Sequence, residues 1–358
     1  MLLVSAQDVS LAHRFPHGGE LRYRHGRPAL AWPEPGAAHG LLGRLWPAAP
    51  SLAAPRLLWP VPALCEEWLA SGPLSDGRLG CVSYRSNGSW VFGTACVDDR
   101  EQGLRQAAQR AYADVFQVLD REGCPQLQRL WNYMRAINAE EAGLERYRLF
   151  NLGRAQAFLD AGRGLEDGAP AACAMGTAQG PLTVHFLAGR HSPLAIENPR
   201  QVSAYRYPQR YGPRSPTFSR AALADLGEGV HVLFISGTAS IVGHESVHLG
   251  DVVRQAGECL DNIDAVLAAA LPHVGGPWTL AALRERLECT VYLRHPEDLA
   301  AVREVISGRL GVGTPAAEAA VYLQADVCRA ELLVEIEAQV RLAPQERSEE
   351  RRVGKECK

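Results

Sequence analysis

Lysine is almost absent from this sequence. Of the 37 basic residues only Lys355 and Lys358 are lysine, and all the others are arginine. Both lysines lie in the tail 346–358, whose run of mixed charges is typical of a solvated chain end and resembles a translated sequencing adaptor. We therefore leave this tail out of the fold and expect it to lack fixed structure. Any anion bound by the rest of the chain has to be met by arginine or by backbone N–H groups.

Further absences limit the classes of function. There is neither an apolar run of 18 residues nor a basic leader followed by one, so we expect no membrane span and no signal peptide. The nine cysteines include no Cys-x-x-Cys pair, which argues against a disulfide framework or a zinc ribbon and favours a reducing cytoplasm. A net charge of −3 gives no reason to expect nucleic acid as a partner. Glycine-rich phosphate loops and the Gly-x-Ser-x-Gly elbow are missing too, which leaves nucleotide cofactors unsupported.

The hydrophobic pattern predicts two related α+β halves. Residues 1–75 are rich in Pro and Trp and indicate an irregular layer with short strands. Beyond them, helical stripes alternate with strand-like runs in the order β-β-α-β-α-β, twice. Gly93-Thr94-Ala95 in the first half matches Gly237-Thr238-Ala239 in the second. Tyr133-Met134-Arg135 likewise matches Tyr292-Leu293-Arg294. We predict four segments, with the bounds 1–75, 76–195, 196–345 and 346–358.

Two glutamates stand out in the last predicted strand, 331–338. Side chains alternate along a strand, so Glu335 and Glu337 share one face, while Leu332, Val334 and Ile336 share the other. In a dry cleft one of the two carboxyls would have a raised pKa and could act as a general acid. On an exposed sheet face both would be ordinary solvated glutamates.

The segment His244–His248 matches H-E-x-x-H, the zinc-peptidase motif. A zinc site would need this segment to be helical, so that His244 and His248 face one metal ion and Glu245 reaches its water. Gly243 and Gly250 flank the motif and favour a loop. A zinc metallopeptidase acting through His244, Glu245 and His248 stays as an alternative.

Arginine and tyrosine cluster in two segments, 146–154 and 200–220. The planar guanidinium of arginine suits carboxylates. The clusters indicate either a small polyanionic ligand or an ordinary ion-paired surface.

Four blocks of this sequence resemble the chorismatases, bacterial enzymes that remove pyruvate from chorismate. They are ERYRLFNLGRAQAF (145–158), PRQVSAYRYPQRYGPRSPTFSRA (199–221), LFISGTASIVGHESVHLGD (233–251) and CRAELLVEIEA (328–338). The resemblance implies an α+β fold of two YjgF/RidA-like units, each a sheet with helices on one face, of which the N-terminal unit is degenerate. It implies chorismate as the substrate and neither a metal nor an organic cofactor. The closing block is also similar to the YjgF/RidA superfamily itself.

The resemblance also assigns roles. Glu335 would be the acid that protonates the enolpyruvyl methylene carbon. Because Glu337 lies on the same strand face, we expect its like charge to keep Glu335 protonated. Cys328 implies the branch that forms 3-hydroxybenzoate for secondary metabolism, and leaves open whether 4-hydroxybenzoate is released as well. Substrate binding falls to Tyr147, Arg148, Arg154, Tyr211, Arg214, Arg220 and Gly243.

Two points stay open at this level. A YjgF-like chain could bind a small acid without consuming it. A duplicated chain could also be a monomer or form a trimer-like assembly.

Overall fold

The computed structural model describes residues 13–14, 20–25, 40–47, 54–58, 63–69, 73–164, 169–226, 231–274 and 279–342. The tail 346–358 lies outside these residues. The N-terminal part contributes the strands β1 (His13–Arg14), β2 (Glu20–His25), β3 (Gly40–Pro47), β4 (Arg56–Leu57) and β5 (Ala63–Leu69). Four of them form an antiparallel sheet in the order β1-β2-β5-β3, while β4 joins a larger sheet.

A first unit follows, which we define as residues 75–189. Its elements are β6 (Ser75–Leu79), β7 (Val82–Ser86), β8 (Trp90–Val97), α1 (Gly103–Glu122), β9 (Gln126–Arg135), β10 (Glu140–Glu141), β11 (Leu144–Glu145), α2 (Arg146–Asp160), β12 (Ala171–Thr177) and β13 (Leu182–Gly189). Apolar residues recur at helical spacing from Leu104 to Leu119 and predict a helix over 103–122, and α1 has these bounds. It ends at Gly123, whose left-handed backbone lets its N–H reach the last carbonyls of the helix.

The second unit comprises residues 194–342. Its elements are β14 (Leu194–Ile196), β15 (Ala221–Asp225), β16 (His231–Ala239), β17 (Ile241–Val242), β18 (Glu245–Ser246), α3 (Val252–Val274), α4 (Leu280–Leu283), β19 (Leu287–Leu293), α5 (Leu299–Leu310), α6 (Pro315–Glu318), β20 (Val321–Gln324) and β21 (Val334–Leu342). Short 3₁₀ turns lie at Ala204–Arg206, Gln209–Tyr211 and Pro296–Asp298. Among the described residues no helix is both long and apolar enough to cross a bilayer.

The two units share one topology. The six-stranded sheet runs β12-β9-β13-β8-β7-β6, and the seven-stranded sheet runs β14-β15-β16-β21-β19-β20-β4. In the first unit the closing strand β13 lies between β8 and β9, and in the second unit the closing strand β21 lies between β16 and β19, the strands before and after the unit's first helix. Tyr133 pairs with Thr183 in the first unit, and Tyr292 pairs with Glu335 in the second. The first unit therefore has a threonine where the second has Glu335.

The two sheets pack face to face, with helices on the outer faces. Phe92 and Trp131 of the first sheet and Phe234 and Tyr292 of the second belong to the apolar cluster between the sheets. The helices α1 and α2 cover the other face of the first sheet, and α3 and α5 cover that of the second. The resulting four layers bury both sheets, which makes the space between them a dry environment for any charged side chain.

The prediction missed several strands, among them Ala171–Thr177 in the first unit and Ala221–Asp225 in the second. Both are built largely from alanine and other small residues, which have weak strand preference. The predicted boundary at 75/76 falls within β6 and that at 195/196 within β14.

Candidate active site

A cavity opens between the two units at one end of the layer between the sheets. Its volume is about 320 Å³, which suits a small molecule. The first unit contributes the start of α2, and the second contributes the segment 207–220, the end of β16, the loop 328–331 and Glu335. A narrower inner pocket of about 30 Å³ continues from this outer cavity and shares Tyr147, Phe218, Gly237, Cys328 and Glu335 with it.

Glu335 lies where the outer cavity meets the inner pocket. Its strand places it opposite Ala239 on one side and Tyr292 on the other, and the residue is only 4 % exposed. Burial, followed by the charge of Glu337, raises the pKa of Glu335 from 4.5 to about 8, although Arg129 and Arg220 oppose the shift. A carboxyl with this pKa carries its proton at neutral pH and can donate it.

Gly237 makes room for this carboxyl. A β-carbon at position 237 would stand 1.8 Å from Oε1 of Glu335. The glycine lies in β16 at an irregularity of the strand pairing, between Ile235 and Thr238. The absence of a side chain at position 237 therefore leaves the space that the carboxyl group of Glu335 occupies.

We expect Gly237→Ala to lower turnover of the site's substrate at least about tenfold with little loss of stability. The added methyl group displaces the end of a flexible side chain rather than backbone, so the fold is preserved while the acid moves. Steady-state kinetics together with thermal unfolding test this. Wild-type turnover in the alanine variant would contradict it.

Cys328 is partly buried and lines both chambers beside Glu335. Burial, and then the nearby Glu335, raise the pKa of its thiol to about 12. The sulfur is therefore a neutral thiol at physiological pH and not a thiolate nucleophile. It can shape the pocket and act as a weak hydrogen-bond donor.

The first unit contributes Tyr147, Arg148 and Arg154 from α2, three of the residues proposed from the sequence to bind substrate. Tyr147 lines both chambers, and Arg148 lines the outer one, where its Nε lies 3.2 Å from an oxygen of Glu145. Arg154 lines the inner pocket and is 2 % exposed. It donates to Asn151 over 3.1 Å and lies over the ring of Phe150, while its Nε has no partner.

Arg154 is thus a buried cation without an anion. No carboxylate among the described residues lies within ion-pair distance of it. A buried charge without a counter-charge is costly, so the inner pocket is electrostatically suited to an anionic group of a ligand.

The second unit contributes Arg220 and Tyr211. Arg220 donates over 2.8 Å both to the carbonyl of Val202 and to the hydroxyl of Tyr207, and its Nε is buried without a partner. The guanidinium carbon of Arg329 lies 4.1 Å from the centre of the Tyr211 ring.

Arg329 and Tyr207 were not predicted as site residues. Arg329 donates to the carbonyl of His244 and to the hydroxyl of Ser246, and its Nη2 is buried without a partner. The signal for Arg329 was its position next to Cys328. Tyr207 could not be distinguished from the other aromatic residues of its cluster, because only the fold decides which of them face the cavity.

Two predicted binding residues do not reach the cavity. Arg214 is exposed and does not line the cavity. Gly243 lies in the turn between β17 and β18 with φ +59°, a conformation that favours glycine. Its N–H and carbonyl bond to the backbone at Arg200 and Val202 over 2.8 Å. The structure therefore explains Gly243 by backbone pairing and not by contact with a ligand.

The H-E-x-x-H segment is a hairpin and not a helix. Val242 pairs with Glu245 across the turn, so the two histidines diverge. Nδ1 of His244 lies 2.9 Å from Arg210, whereas Nε2 of His248 lies 3.3 Å from Glu258. No three possible ligands come together anywhere in the described part of the chain. The zinc alternative is not supported.

Comparison with known proteins identifies the family. The family description "Chorismatase FkbO/Hyg5-like, N-terminal" matches residues 66–188. A chorismatase of Streptomyces rapamycinicus is 42% identical over 284 residues, which cover 78% of this chain and 82% of that protein. The chain belongs to the chorismatase family. A chorismatase crystal structure with 33% identity covers 90% of this chain and 98% of its own, with a TM-score of 0.77, and confirms the predicted fold class.

A further relative of this chorismatase is a protein of Streptomyces hygroscopicus named 3-hydroxybenzoate synthase. It is 39% identical over 284 residues, which cover 77% of this chain and 81% of the relative. The chorismatase described here thus combines, in one cavity, a buried acid on the second unit and a buried, unpaired arginine on the first.

Proposed function

We propose that this chorismatase removes the enolpyruvyl group of chorismate and forms 3-hydroxybenzoate and pyruvate. The observation that carries the proposal is Glu335, a buried carboxyl with a pKa of about 8 that faces a cavity rich in arginine. The relatives named chorismatase and 3-hydroxybenzoate synthase support the same substrate and product. We place the reaction in the reducing cytoplasm, which suits the free thiols of the described cysteines.

In this proposal Glu335 donates its proton to the methylene carbon of the enol ether. Protonation leaves an oxocarbenium-like carbon, which weakens the ether bond to the ring. Such a step needs a carboxylic acid that is protonated near neutral pH in a site of low dielectric constant. Glu335 meets both conditions, because its pKa is raised and its surroundings are largely apolar.

Arginines from both units then bind the two carboxylates of chorismate. Arg154 in the inner pocket and Arg220 in the outer cavity each have a buried Nε without a partner. A carboxylate placed against either group would satisfy it, and charge-assisted bonds of this kind are the strong ones. We assign Tyr147, Arg148, Tyr211 and Arg329 to the walls that orient the ring and the enolpyruvyl group.

Cys328 is proposed to select the product. After protonation the oxygen of the neighbouring ring hydroxyl attacks the ring carbon that carries the ether, the ether bond breaks and pyruvate leaves, while the hydroxyl proton returns to Glu335. The three-membered ring formed in this way opens by breaking the bond to the original hydroxyl carbon, and loss of the proton on the neighbouring ring carbon makes the ring aromatic. The atoms of chorismate equal those of hydroxybenzoate plus pyruvate, so the route needs neither water nor an oxidant. A neutral thiol beside Glu335 fills the place where a water molecule could otherwise attack.

We expect Cys328→Ala to shift the products away from 3-hydroxybenzoate toward hydrolysis. The smaller side chain opens space for water beside Glu335 and removes the weak S–H donor. Chromatography of the aromatic and diene products measures the ratio, and Cys328→Ser, which keeps a donor of similar size, is the matched control. An unchanged ratio in Cys328→Ala would remove Cys328 from the mechanism.

The function itself is tested with purified full-length chain and chorismate. We expect stoichiometric pyruvate and 3-hydroxybenzoate above the uncatalysed background, and the same chromatogram measures any 4-hydroxybenzoate. A chain that binds chorismate but releases no pyruvate would instead be a non-catalytic binder.

A further inference from the structure

The two glutamates of β21 have different surroundings although both are buried. Glu335 and Glu337 are each 4 % exposed and, two positions apart, face the same side. Oε2 of Glu337 lies 2.5 Å from Nη2 of Arg129, and its Oε1 lies 3.3 Å from Nε1 of Trp131. Glu335 instead faces the outer cavity and the inner pocket, next to Gly237 and Cys328.

This difference decides which carboxyl holds a proton. Hydrogen bonds to the ionised form favour it, as does a cation at short distance. Glu337 has a donor on each oxygen, and one of the donors is an arginine. Two buried carboxyls close together do not both ionise readily, so the proton goes to the one without these donors.

We propose that Arg129 and Trp131 of the first unit hold Glu337 as a carboxylate and so leave the proton of the pair on Glu335. Both are positioning residues, since neither lines the outer cavity or the inner pocket. The inference rests on the proposed role of Glu335 as the acid. It also gives the degenerate first unit a part in the chemistry besides binding, because both residues lie on its strand β9.

Other ionisable groups face Glu335 as well. Arg220, which precedes β15, lowers the pKa of Glu335 together with Arg129. The thiols of Cys328 and of Cys259 on α3 and the phenol of Tyr147 on α2 also lie near it, and burial raises the pKa of each. These three groups are neutral near pH 8. The fixed charges that shift the pKa of Glu335 are those of Glu337, Arg129 and Arg220, and the guanidinium of Arg154 lines the same inner pocket.

Infrared titration of the full chain without substrate tests the inference directly. The carbonyl stretch of protonated Glu335 is assigned by its loss in Glu335→Gln. The Glu288→Gln variant separates it from Glu288, whose pKa burial also raises to about 8. We expect Glu335 to titrate near pH 8 in the wild type and at least about one unit lower in Glu337→Gln, where Arg129 remains as a lone cation.

The double variant Arg129→Gln/Glu337→Gln completes the design. It removes both charges, so Glu335 should titrate above its position in Glu337→Gln. Because each single variant leaves a buried charge unpaired, the double variant also serves as the folded reference. Trp131→Phe keeps an aromatic side chain but removes the indole N–H that donates to Glu337. It should reduce the carbonyl band of protonated Glu335 at neutral pH, because part of the proton moves to Glu337.

The pH dependence of turnover gives a second measurement. Turnover needs protonated Glu335 and therefore falls as the pH rises through its pKa. We expect this alkaline limb to move toward acid in Glu337→Gln and to return partly in the double variant. An unchanged Glu335 titration in Glu337→Gln would overturn the inference. If the titrations behave as expected but the chain does not consume chorismate, the inference about Glu337 is upheld and the proposed function is overturned.

Discussion

Glu335→Gln is expected to lower kcat for chorismate by roughly 10²–10⁴-fold, the usual contribution of a positioned general acid. Glutamine keeps the shape of the side chain but has no acidic proton to give to the methylene carbon. The cavity and its arginines stay in place, so the affinity for chorismate should change much less than turnover. Pyruvate release and equilibrium binding of chorismate measure the two effects separately.

Glu288→Gln is a matched control for this experiment. Glu288 is also buried and also has a pKa of about 8, but it does not line the cavity. Its contact with Gln339, which donates over 2.8 Å, survives as an amide–amide bond. We expect nearly normal turnover in this variant. Full activity in Glu335→Gln would refute the role of Glu335 as the acid.

Glu335→Gln also has a predictable effect on the pH dependence of stability. The pKa of folded Glu335 is raised from 4.5 to about 8, so the folded chain holds this proton more tightly than the unfolded chain does. The stability contributed by the group is therefore complete below about pH 4.5 and declines as the pH rises toward 8. In Glu335→Gln this part of the decline should be missing from chemical denaturation curves measured across that range.

Arg154→Met is expected to reduce kcat/KM for chorismate by at least about tenfold, while leaving the free energy of unfolding unchanged or higher. Removing one partner of a buried charge pair typically costs about 2–5 kcal/mol of binding energy. Without substrate, however, Arg154 has no described anionic partner, and methionine fills similar space without a desolvated charge. Binding and stability should therefore respond in opposite directions.

Arg309→Met separates this effect from a general loss of arginine. Arg309 pairs with Asp261 on the outer face of the second unit over 2.6 Å, far from the cavity lining. Its loss should leave kcat/KM unchanged. If Arg154→Met instead unfolded the chain while Arg309→Met did not, Arg154 would be a structural residue and the inner pocket would not be a carboxylate site.

Much of the fold could be predicted from the sequence because the helices carry regular apolar stripes. The bounds of α1 were found from Leu104, Ala111 and Val115, all of which are buried. The letter match of Tyr133 with Tyr292 was correct, since both pair with the closing strand of their unit in the same register. The letter match of Thr94 with Thr238 is off by one residue. Relative to the closing strand of its unit, Thr238 is shifted by one position, because β16 is irregular between Ile235 and Thr238.

The candidate site was predictable only in part. Glu335 and Cys328 could be found because they lie in one short, recognisable block. The partners of Glu337 could not, since Arg129 is more than 200 residues away and only the packing of the two sheets brings it within reach. Arg214 and Arg220 looked equally suitable in the sequence, but in the structure Arg220 is buried and lines the cavity whereas Arg214 is exposed and does not.

The two sides of the cavity belong to different units of one continuous chain. Arg154 and Glu335 are thus held together by covalent linkage and sheet packing, at an effective concentration that no dilution can lower. The specific activity due to this cavity should therefore stay constant as the enzyme is diluted, whatever assembly the chain forms.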